Sequence, residues 1–340
     1  MSLNPIKRTL FSIKRFFVPY HDDEPSNTAN PYAISFDKSM GKGSYYYEKC
    51  MKATKGVYTI ASSPESASSL MAFFRSLYER NNLTTITPSS TLKIPTITHQ
   101  IWVGNVFPKK FHAWRNSWLH HHPTWTHIFW TDNPINYGLG TLVEDIATLK
   151  TSLSQGTYAG QSIVVDIKHL DLYNQKYYDT TINLGEKTDI LRYEIVYMLG
   201  GVYLDIDFEC FKPLDLLHYC YDFYTGIQPL DETLALGAAL FAGPPDHPIL
   251  KKCVETIPTN QQHKNIIERT GPVHFTRAFR AVAADCPGTT IAFPARYFYP
   301  VGLRYGAPDP KNILSLLKPE SFAVHHWAGS WVNIKWFFKK

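Results

Sequence analysis

The stretch KTDILRYEIVYMLGGVYLDIDFE, residues 187–209, decides the fold of this chain. Apolar residues recur at helical spacing over residues 188–199, and Thr188 is a suitable N-cap, so the first part predicts a helix. The glycine pair at 200–201 ends this helix, because glycine readily adopts the positive φ of a C-cap. Residues 202–204 then predict a buried or half-buried strand.

Two charged pairs flank this helix–strand unit. Asp205 and Asp207 follow the strand two positions apart, so both project from the same side of an extended chain. Adjacent carboxylates suit a hard cation such as Mg²⁺ or Mn²⁺, although two aspartates that merely solvate a turn would look the same. Asp189 and Arg192 lie three positions apart and share a face near the helix N-terminus. On a mostly apolar helix such a pair is either a structural ion pair or the wall of a site.

Composition excludes several classes of protein. The chain has 340 residues, 44% of them hydrophobic and 14% aromatic, which is typical of a folded protein with a large core. The net charge of +5 is mild and no zinc-finger or RRM signature is present, so nucleic acid is not an expected partner. The five cysteines are scattered without C-x-x-C spacing, which favours reduced thiols and a reducing compartment. No apolar run approaches the roughly 20 residues of a membrane span.

The chain divides into an N-terminal extension, residues 1–93, and a main domain, residues 94–340. Within the extension, residues 64–80 predict a helix and the rest is partly irregular. Residues 1–20 are basic and amphipathic, so they predict either an interfacial membrane anchor or an ordinary helix packed on the body. The segment KWFFKK at 335–340 has similar chemistry. Because the N-terminus lacks the apolar region of a secretory signal, the expected location is cytoplasmic, with peripheral membrane contact, or that of an effector secreted by another route.

Strands alternate with helices through the main domain, which predicts an α/β fold with a mixed, largely parallel sheet flanked by helices. Ligands of such sheets bind at the carboxyl ends of the strands. There is no G-x-G-x-x-G or Walker loop, which weakens the dehydrogenase and P-loop interpretations. The predicted strands are 94–105, 126–131, 161–167, 202–204, 223–228, 236–242, 289–293 and 322–327. The side chains expected at strand ends are Trp102, Asp132, Asp205, Asp207 and His326.

Four segments in order resemble glycosyltransferase family 32, the D-x-D sugar transferases that include fungal mannosyltransferases and relatives of the clostridial glucosylating toxins. They are ITHQIWVGN (97–105), HIFWTDN (127–133), KTDILRYEIVYMLGGVYLDID (187–207) and HHWAGSW (325–331). The resemblance spans roughly residues 94 to 331. It implies a GT-A fold, a nucleotide-sugar donor and a divalent metal, usually Mn²⁺, with Mg²⁺ as the other choice.

The resemblance also implies roles for individual donor-site residues. Trp102 matches the aromatic that stacks on the donor base, and its alternative role is core packing at a strand end. Asp189 and Arg192 match the pair that binds the donor sugar. Tyr203 lies at the position that lines the nucleotide, and Asp205 matches the carboxylate that contacts ribose and sugar hydroxyls.

The metal ligands are implied in the same way. Asp207 matches the direct ligand, with Asp205 beside it. His326 stands three positions before Gly329, as a metal-binding histidine does in related GT-A enzymes, and it is the predicted third ligand. The toxin relatives use a carboxylate and a serine in this region, so the choice among His325, His326 and Ser330 stays open. The alternative for His326 is a buried, hydrogen-bonded histidine. Ser330 and Trp331 complete the predicted donor-binding set, with Trp331 over the diphosphate or sugar.

The predicted function is that of a metal-dependent, retaining glycosyltransferase with Asp189, Arg192, Asp205 and Asp207 as its catalytic residues. It would transfer a hexose from a UDP- or GDP-sugar to a glycan, glycolipid or protein. In the mechanism that the family implies, the leaving phosphate takes the acceptor proton, so no protein residue is nominated as general base. The alternatives are a non-catalytic nucleotide-sugar or carbohydrate-binding protein and, less favoured, a metal-dependent phosphodiesterase, which would be expected to carry more metal-ligating side chains.

Overall fold

The structure is a computed structural model that describes residues 30–41, 64–134, 138–230, 234–302 and 310–329. Residues 1–20, Ser330, Trp331 and the segment 335–340 therefore lie outside the described residues. The predictions of a membrane-binding N-terminus and of donor contacts by Ser330 and Trp331 remain predictions.

The described residues form an eight-stranded mixed sheet and a separate two-stranded ribbon. The order in the large sheet is β3-β4-β2-β1-β5-β8-β7-β9, and β6 pairs with β10 in the ribbon. Five of the strand pairs in the large sheet are parallel, whereas β8 pairs antiparallel with both β5 and β7. The strands are β1 Ile97–Trp102, β2 Thr126–Thr131, β3 Thr141–Val143, β4 Ser162–Asp166, β5 Gly201–Leu204, β6 Phe208–Cys210, β7 Phe223–Ile227, β8 Leu236–Gly243, β9 Thr290–Phe293 and β10 Ala323–His325. The predicted fold class, α/β with a mixed, largely parallel sheet, is confirmed.

Helices connect and cover these strands. They are α1 Phe36–Ser39, α2 Pro64–Asn81, α3 His112–His121, α4 Ile146–Ser154, α5 Gln175–Thr180, α6 Leu184–Leu199, α7 Asp215–Cys220, α8 Pro248–Asn260, α9 Ile266–Arg269, α10 Pro272–Val282 and α11 Pro310–Leu316. Short 3₁₀ turns occupy Lys109–Phe111, Ile167–His169 and Ala295–Tyr297. In the described part of the chain, none of these helices combines the length and apolar character that crossing a bilayer requires.

The central strands are buried on both faces, although β1 and β2 also carry polar side chains. Every residue of β2 and of β8 is buried. Parallel strands with helices on both faces have no solvated side, so they lack the alternation of a surface strand. The aromatic content serves this core, where Trp118, Trp125 and Trp130 are each fully buried.

Helix α6 is the predicted central helix, but it begins earlier than expected. Asn183 is its N-cap and accepts a hydrogen bond from the backbone N–H of Glu186 at 3.1 Å. Thr188, the predicted cap, lies in the second turn and donates its hydroxyl to the carbonyl of Leu184. The helix ends as predicted at Gly200, whose φ is +66°. The prediction for Thr188 was wrong because asparagine caps a helix at least as well as threonine does.

Helix α2 packs onto the main sheet, although it was assigned to the N-terminal extension. Asn81 donates its side-chain amide to the carbonyl of Thr290 in β9 at 2.8 Å. The hydroxyl groups of Tyr78 and Tyr297 lie 3.1 Å apart in the core. The boundary at residue 93/94 stays a prediction, but the buried residues of α2 belong to the same hydrophobic core as the sheet: Ala67, Leu70, Phe74, Leu77 and Tyr78.

Candidate functional site

The D-x-D segment lies in a turn between β5 and β6. Strand β5 ends at Leu204, and the N–H of Phe208 bonds the carbonyl of Asp205 at 3.1 Å to close the turn. The sequence predicted an extended chain here, so this detail differs. Because β5 is central to the sheet, its carboxyl end still presents both aspartates at the edge where ligands of such sheets bind.

Asp207 is held by the segment that follows β10. Its Oδ2 accepts a hydrogen bond from the N–H of Ala328 at 2.8 Å, and its backbone carbonyl accepts from the N–H of His326 at 2.9 Å. Its Oδ1 lies 3.0 Å from Nε2 of His325. Burial by itself would raise the pKa of Asp207, but His325 and the N–H of Ala328 outweigh it, and the pKa is lowered. Asp207 is therefore ionised in the ordinary pH range.

Asp205 lies between a tyrosine and an arginine. Its Oδ1 accepts a hydrogen bond from the hydroxyl of Tyr203 and lies 3.5 Å from the guanidinium of Arg192. Its other oxygen lies 3.9 Å from Nε2 of His325. Burial raises the pKa of Asp205, and the nearby charge of Asp207 raises it further, against the opposing effect of Arg192. A cation between the two carboxylates would relieve this repulsion.

Arg192 joins Asp205 to Asp189 across the floor of the site. Its guanidinium lies 3.1 Å from Asp189 and donates to the carbonyl of Ala238 in β8 at 2.8 Å. The guanidinium also stacks over the ring of Tyr203, 4.7 Å from the ring centre. Tyr203 is fully buried and reaches the site through its hydroxyl. The predicted pairing of Asp189 with Arg192 is present, and it forms part of a continuous chain of charges.

Asp189 is buried and has a second partner. The hydroxyl of Thr270, at the end of α9, donates to its Oδ2 at 2.9 Å. Burial raises the pKa of Asp189 to about 6, although Arg192 and Thr270 both oppose this effect. Asp189 thus changes its ionisation near pH 6.

The structure places His325, and not His326, with the two aspartates. In the part of the chain that the structure describes, Asp205, Asp207 and His325 form a group whose ligand atoms all lie within 4.8 Å of one another. His326 turns to the other side of the ribbon, where its Nε2 lies 2.9 Å from Glu209 and its ring stacks on Trp114 at 4.1 Å. The expectation for His326 as metal ligand does not match this geometry. Its alternative, a buried and hydrogen-bonded histidine, does.

Trp102 lies at the carboxyl end of β1, as predicted, and it is half-buried. Its ring packs on Phe107 and Phe111 with centroids 5.7 and 5.4 Å away, and its Nε1 donates to the carbonyl of Asn105. The same apolar cluster contains Ile206, the middle residue of the D-x-D segment. Trp102 and the aspartates are therefore fixed relative to each other by one cluster, and part of the Trp102 ring remains accessible.

The donor set fits a divalent cation. Two carboxylates and one imidazole are ligands that Mn²⁺ accepts, and Asp207 is ionised. Among the described residues, neither ring nitrogen of the buried His325 makes a well-aligned hydrogen bond, although its Nε2 faces Asp207. A buried polar atom without such a bond is costly unless something else satisfies it. A metal ion bound by Nε2 would do so.

Sequence reasoning missed Thr270, Glu209 and Trp114. Thr270 contacts Asp189 from a helix that is 81 positions away in the chain. Glu209 lies in β6, two positions after Asp207, and a search for polar residues on the strand that follows the D-x-D segment would find it. Trp114 carries no sequence signal, because an aromatic residue on an amphipathic helix is ordinary composition.

Comparisons with known proteins show what this chain is similar to. Residues 108–224 match the family model described as "Glycosyltransferase sugar-binding region containing DXD motif". The chain is 30% identical over 176 residues to inositol phosphoceramide mannosyltransferase 1 of Schizosaccharomyces pombe, a match covering 51% of this chain and 46% of that protein. It is 31% identical over 127 residues to inositol phosphoceramide mannosyltransferase 3 of the same yeast, covering 37% of this chain and 28% of that protein. The chain spans less than half the length of these relatives.

Residues 108–224 are thus similar to the sugar-binding region of DXD-containing glycosyltransferases, and the resemblance inferred from the motifs of the chain is confirmed. Among solved structures, the chain resembles the PaToxG glycosyltransferase at 20% identity and a TM-score of 0.44, over 64% of this chain and 79% of that one.

Proposed function

We propose that this protein is a metal-dependent, retaining glycosyltransferase that transfers a hexose from a UDP- or GDP-sugar. The observation that carries the proposal is the convergence of Asp205, Asp207 and His325 at the carboxyl end of β5. The ion pair of Asp189 and Arg192 lies next to this group, because Arg192 also contacts Asp205. A diphosphate leaving group and a sugar together require a cation site beside polar groups that bind hydroxyls.

Asp207, Asp205 and His325 would hold the cation, Mn²⁺ or Mg²⁺, with His325 in place of the His326 expected from the sequence. When bound, the metal would act as a Lewis acid that neutralises the charge on the departing diphosphate. Asp207 is suited to direct ligation because its ionised form is stabilised by the N–H of Ala328. Tyr203 orients Asp205 by donating its hydroxyl to the carboxylate.

Arg192 and Asp189 would bind the donor sugar, and Trp102 would stack on the donor base. Arg192 is immobilised by the carbonyl of Ala238 and by the Tyr203 ring, so little side-chain entropy remains to be lost when it binds a ligand. The half-buried Trp102 ring offers a flat apolar surface at the next strand. Tyr203 is too deeply buried to line the nucleotide as the resemblance implied, and its role is indirect.

The acceptor would be a glycan, a glycolipid or a protein. The two relatives described above are named for mannose transfer to inositol phosphoceramide. This supports a glycolipid as the first acceptor class to test and GDP-mannose as the first donor. We assign no protein general base, since retention with proton uptake by the leaving phosphate needs none. A product of inverted anomeric configuration, determined by NMR, would contradict this mechanism.

The test is hydrolysis of a panel of UDP- and GDP-sugars by the purified protein, with and without Mn²⁺. We expect one donor to be hydrolysed faster than the rest and chelation with EDTA to abolish the reaction. Donor binding without hydrolysis or transfer would favour the non-catalytic binding protein. Cleavage of simple phosphodiesters by the same preparation would favour the phosphodiesterase.

Replacement of Asp207 gives the sharpest single variant. We expect Asp207→Asn to reduce donor hydrolysis by at least about a hundredfold, because a neutral amide is a poor ligand for a hard cation. The matched control is Asp222→Asn, which alters a carboxylate paired with Lys93 at the start of β7. Full activity of Asp207→Asn would refute the assignment.

A further inference from the structure

His325 and His326 are neighbours with the same side chain, yet they occupy opposite faces of the ribbon. The antiparallel register pairs His325 with Phe208 and Val324 with Glu209. Directly opposed residues share a face, and residues two apart on one strand do as well. His325 therefore falls on the Phe208 face, next to the aspartates, and His326 falls on the Glu209 face.

Ordinary hydrophobic patterning fixes this register weakly. A slip of β10 by one residue would move every side chain to the other face, and in one direction it would place His326 where His325 lies and Trp327 where His326 lies. Such a slip is normally opposed because it exposes apolar residues and buries polar ones. Here Ala323, Val324, His325 and His326 are all buried, so both faces of β10 are covered and this penalty is small.

The polar surroundings of His326 fix the register of β10, which hydrophobic burial alone leaves open. Glu209, which is 6% exposed, lies 2.9 Å from Nε2 of His326, which is 2% exposed. The indole ring of Trp114 stacks on the imidazole at 4.1 Å with an interplanar angle of 15°. On the other face, His325 is surrounded by the rings of Phe208, Tyr299 and Trp327. After the slip that moves His326 to the His325 position, Glu209 would lose its bonded imidazole, and removing that partner from a buried carboxylate is costly.

We propose that Glu209 is a positioning residue that, together with Trp114, locks the register of β10 so that His325 completes the metal site. The inference rests on the metal site of the proposed function. The contact between Glu209 and His326 joins residues that are 117 positions apart in the sequence. It lies next to Asp207, because the N–H of His326 also bonds the Asp207 carbonyl. The observed register thus determines both the position of the His325 side chain and the hydrogen bond from the N–H of Ala328 to Asp207.

The test is the affinity for Mn²⁺ alone, measured by calorimetry and by EPR detection of free Mn²⁺. We expect Glu209→Leu to weaken binding by about tenfold to a hundredfold, an effect as large as that of removing an outer group that orients a metal ligand. Glu209→Gln should stay within about threefold of wild type, because the amide oxygen still accepts a hydrogen bond from the imidazole. The matched control, Asp222→Leu, removes a carboxylate elsewhere and should bind Mn²⁺ as wild type does. Wild-type affinity in a folded Glu209→Leu variant would overturn the lock and leave the proposed function intact.

A second variant decides the question should Glu209→Leu fail to fold. In a locked register His326 cannot replace its neighbour, so His325→Ala should lose at least about tenfold in Mn²⁺ affinity. Retention of affinity within threefold in His325→Ala would show that the register is free and would overturn the proposal. If the wild-type protein did not bind Mn²⁺, the metal site itself would be refuted. Both the proposed function and the role of Glu209 would then be contradicted.

Discussion

Asp189 shows how burial and hydrogen bonding balance at a single residue. Burial raises the pKa of its carboxyl group to about 6, while Arg192 and the hydroxyl of Thr270 hold the pKa down. The group is therefore mostly ionised at pH 7 and becomes protonated as the pH falls through about 6. Only the ionised form offers two acceptor oxygens, one to Thr270 and one to Arg192 or to a sugar hydroxyl.

Removal of the Thr270 hydroxyl should shift this balance. We expect donor hydrolysis by wild type to rise with pH through about 6, and Thr270→Val to move the midpoint up by about one unit, since a hydrogen bond to a charged group is lost. The measurement is kcat/KM for the donor between pH 6 and 8. The control is Thr259→Val, at an exposed threonine near the end of α8. Identical pH profiles for Thr270→Val and wild type would contradict this account of Asp189.

At this scale the sequence predicted local pairs and missed distant ones. The spacing of three between Asp189 and Arg192 identified a pair that the structure joins at 3.1 Å. The choice between His325 and His326 could not be made, because their faces depend on pairing with a strand more than a hundred positions away. Thr270 was missed for the same reason.

The glycine pair after α6 determines how β5, which leads to the two aspartates, is placed in the sheet. Gly201 has a φ of +96°, and a Cβ there would lie 2.6 Å from the carbonyl oxygen of Ile97 and 3.2 Å from Nε2 of His99. His99 Nε2 in turn lies 2.7 Å from the carbonyl of Gly200. Trp130 Nε1 donates to Nδ1 of His99, so the proton of this neutral imidazole resides on Nε2 and is donated to Gly200. The turn thus seats β5 directly against β1.

Alanine at this turn should be costly. We expect Gly201→Ala to destabilise the protein by about 3 kcal/mol, as strained φ combines with contact against a backbone oxygen that cannot move aside. Gly156→Ala is the matched control, because Gly156 has a φ of +70° with no atom near its Cβ position. It should cost only about 1 kcal/mol. Urea unfolding of both variants gives the comparison, and equal losses would show that the contact with Ile97 is unimportant.

Element prediction from the sequence was accurate where burial was continuous and poorer at junctions. Strand β2 was predicted with its observed bounds, since a run rich in β-branched and aromatic residues ends visibly at Asp132. The turn at 205–207 was predicted as extended chain, because the bond from Phe208 to Asp205 has no signature in residue type. The start of α6 was misplaced by a competing cap.

Six buried histidines shape the behaviour of the whole molecule. Burial lowers the pKa of each, to about 3 for His218 and to about 4 for the others. The six are His99, His122, His127, His218, His247 and His274. They are neutral in the folded protein, whereas the unfolded chain takes up protons near pH 6.5. Their contribution to stability is present above pH 6.5 and is lost as the pH falls towards 4.

The protein should therefore be labile to acid. Each histidine contributes about 1.4 kcal/mol per pH unit in this window, so six together approach about 8 kcal/mol per unit. Since total stabilities are about 5–15 kcal/mol, we expect unfolding between about pH 5 and 6. Tryptophan fluorescence, reporting on the buried Trp118, Trp125 and Trp130, would follow the transition. A free energy of unfolding that stays constant from pH 7 to 5 would contradict the prediction, and the exposed His169→Gln is the neutral control.

The ribbon of β6 and β10 has a consequence for how the molecule is assembled. Asp207 and Ala328 are 121 positions apart, yet their bond is part of the site. During synthesis the large sheet can form while the aspartates still await the last strand, since loop closure over such a distance comes late. A cation that binds only the closed arrangement would pull this closure forward by mass action. Metal supply during folding would then govern the yield of native protein as well as its turnover.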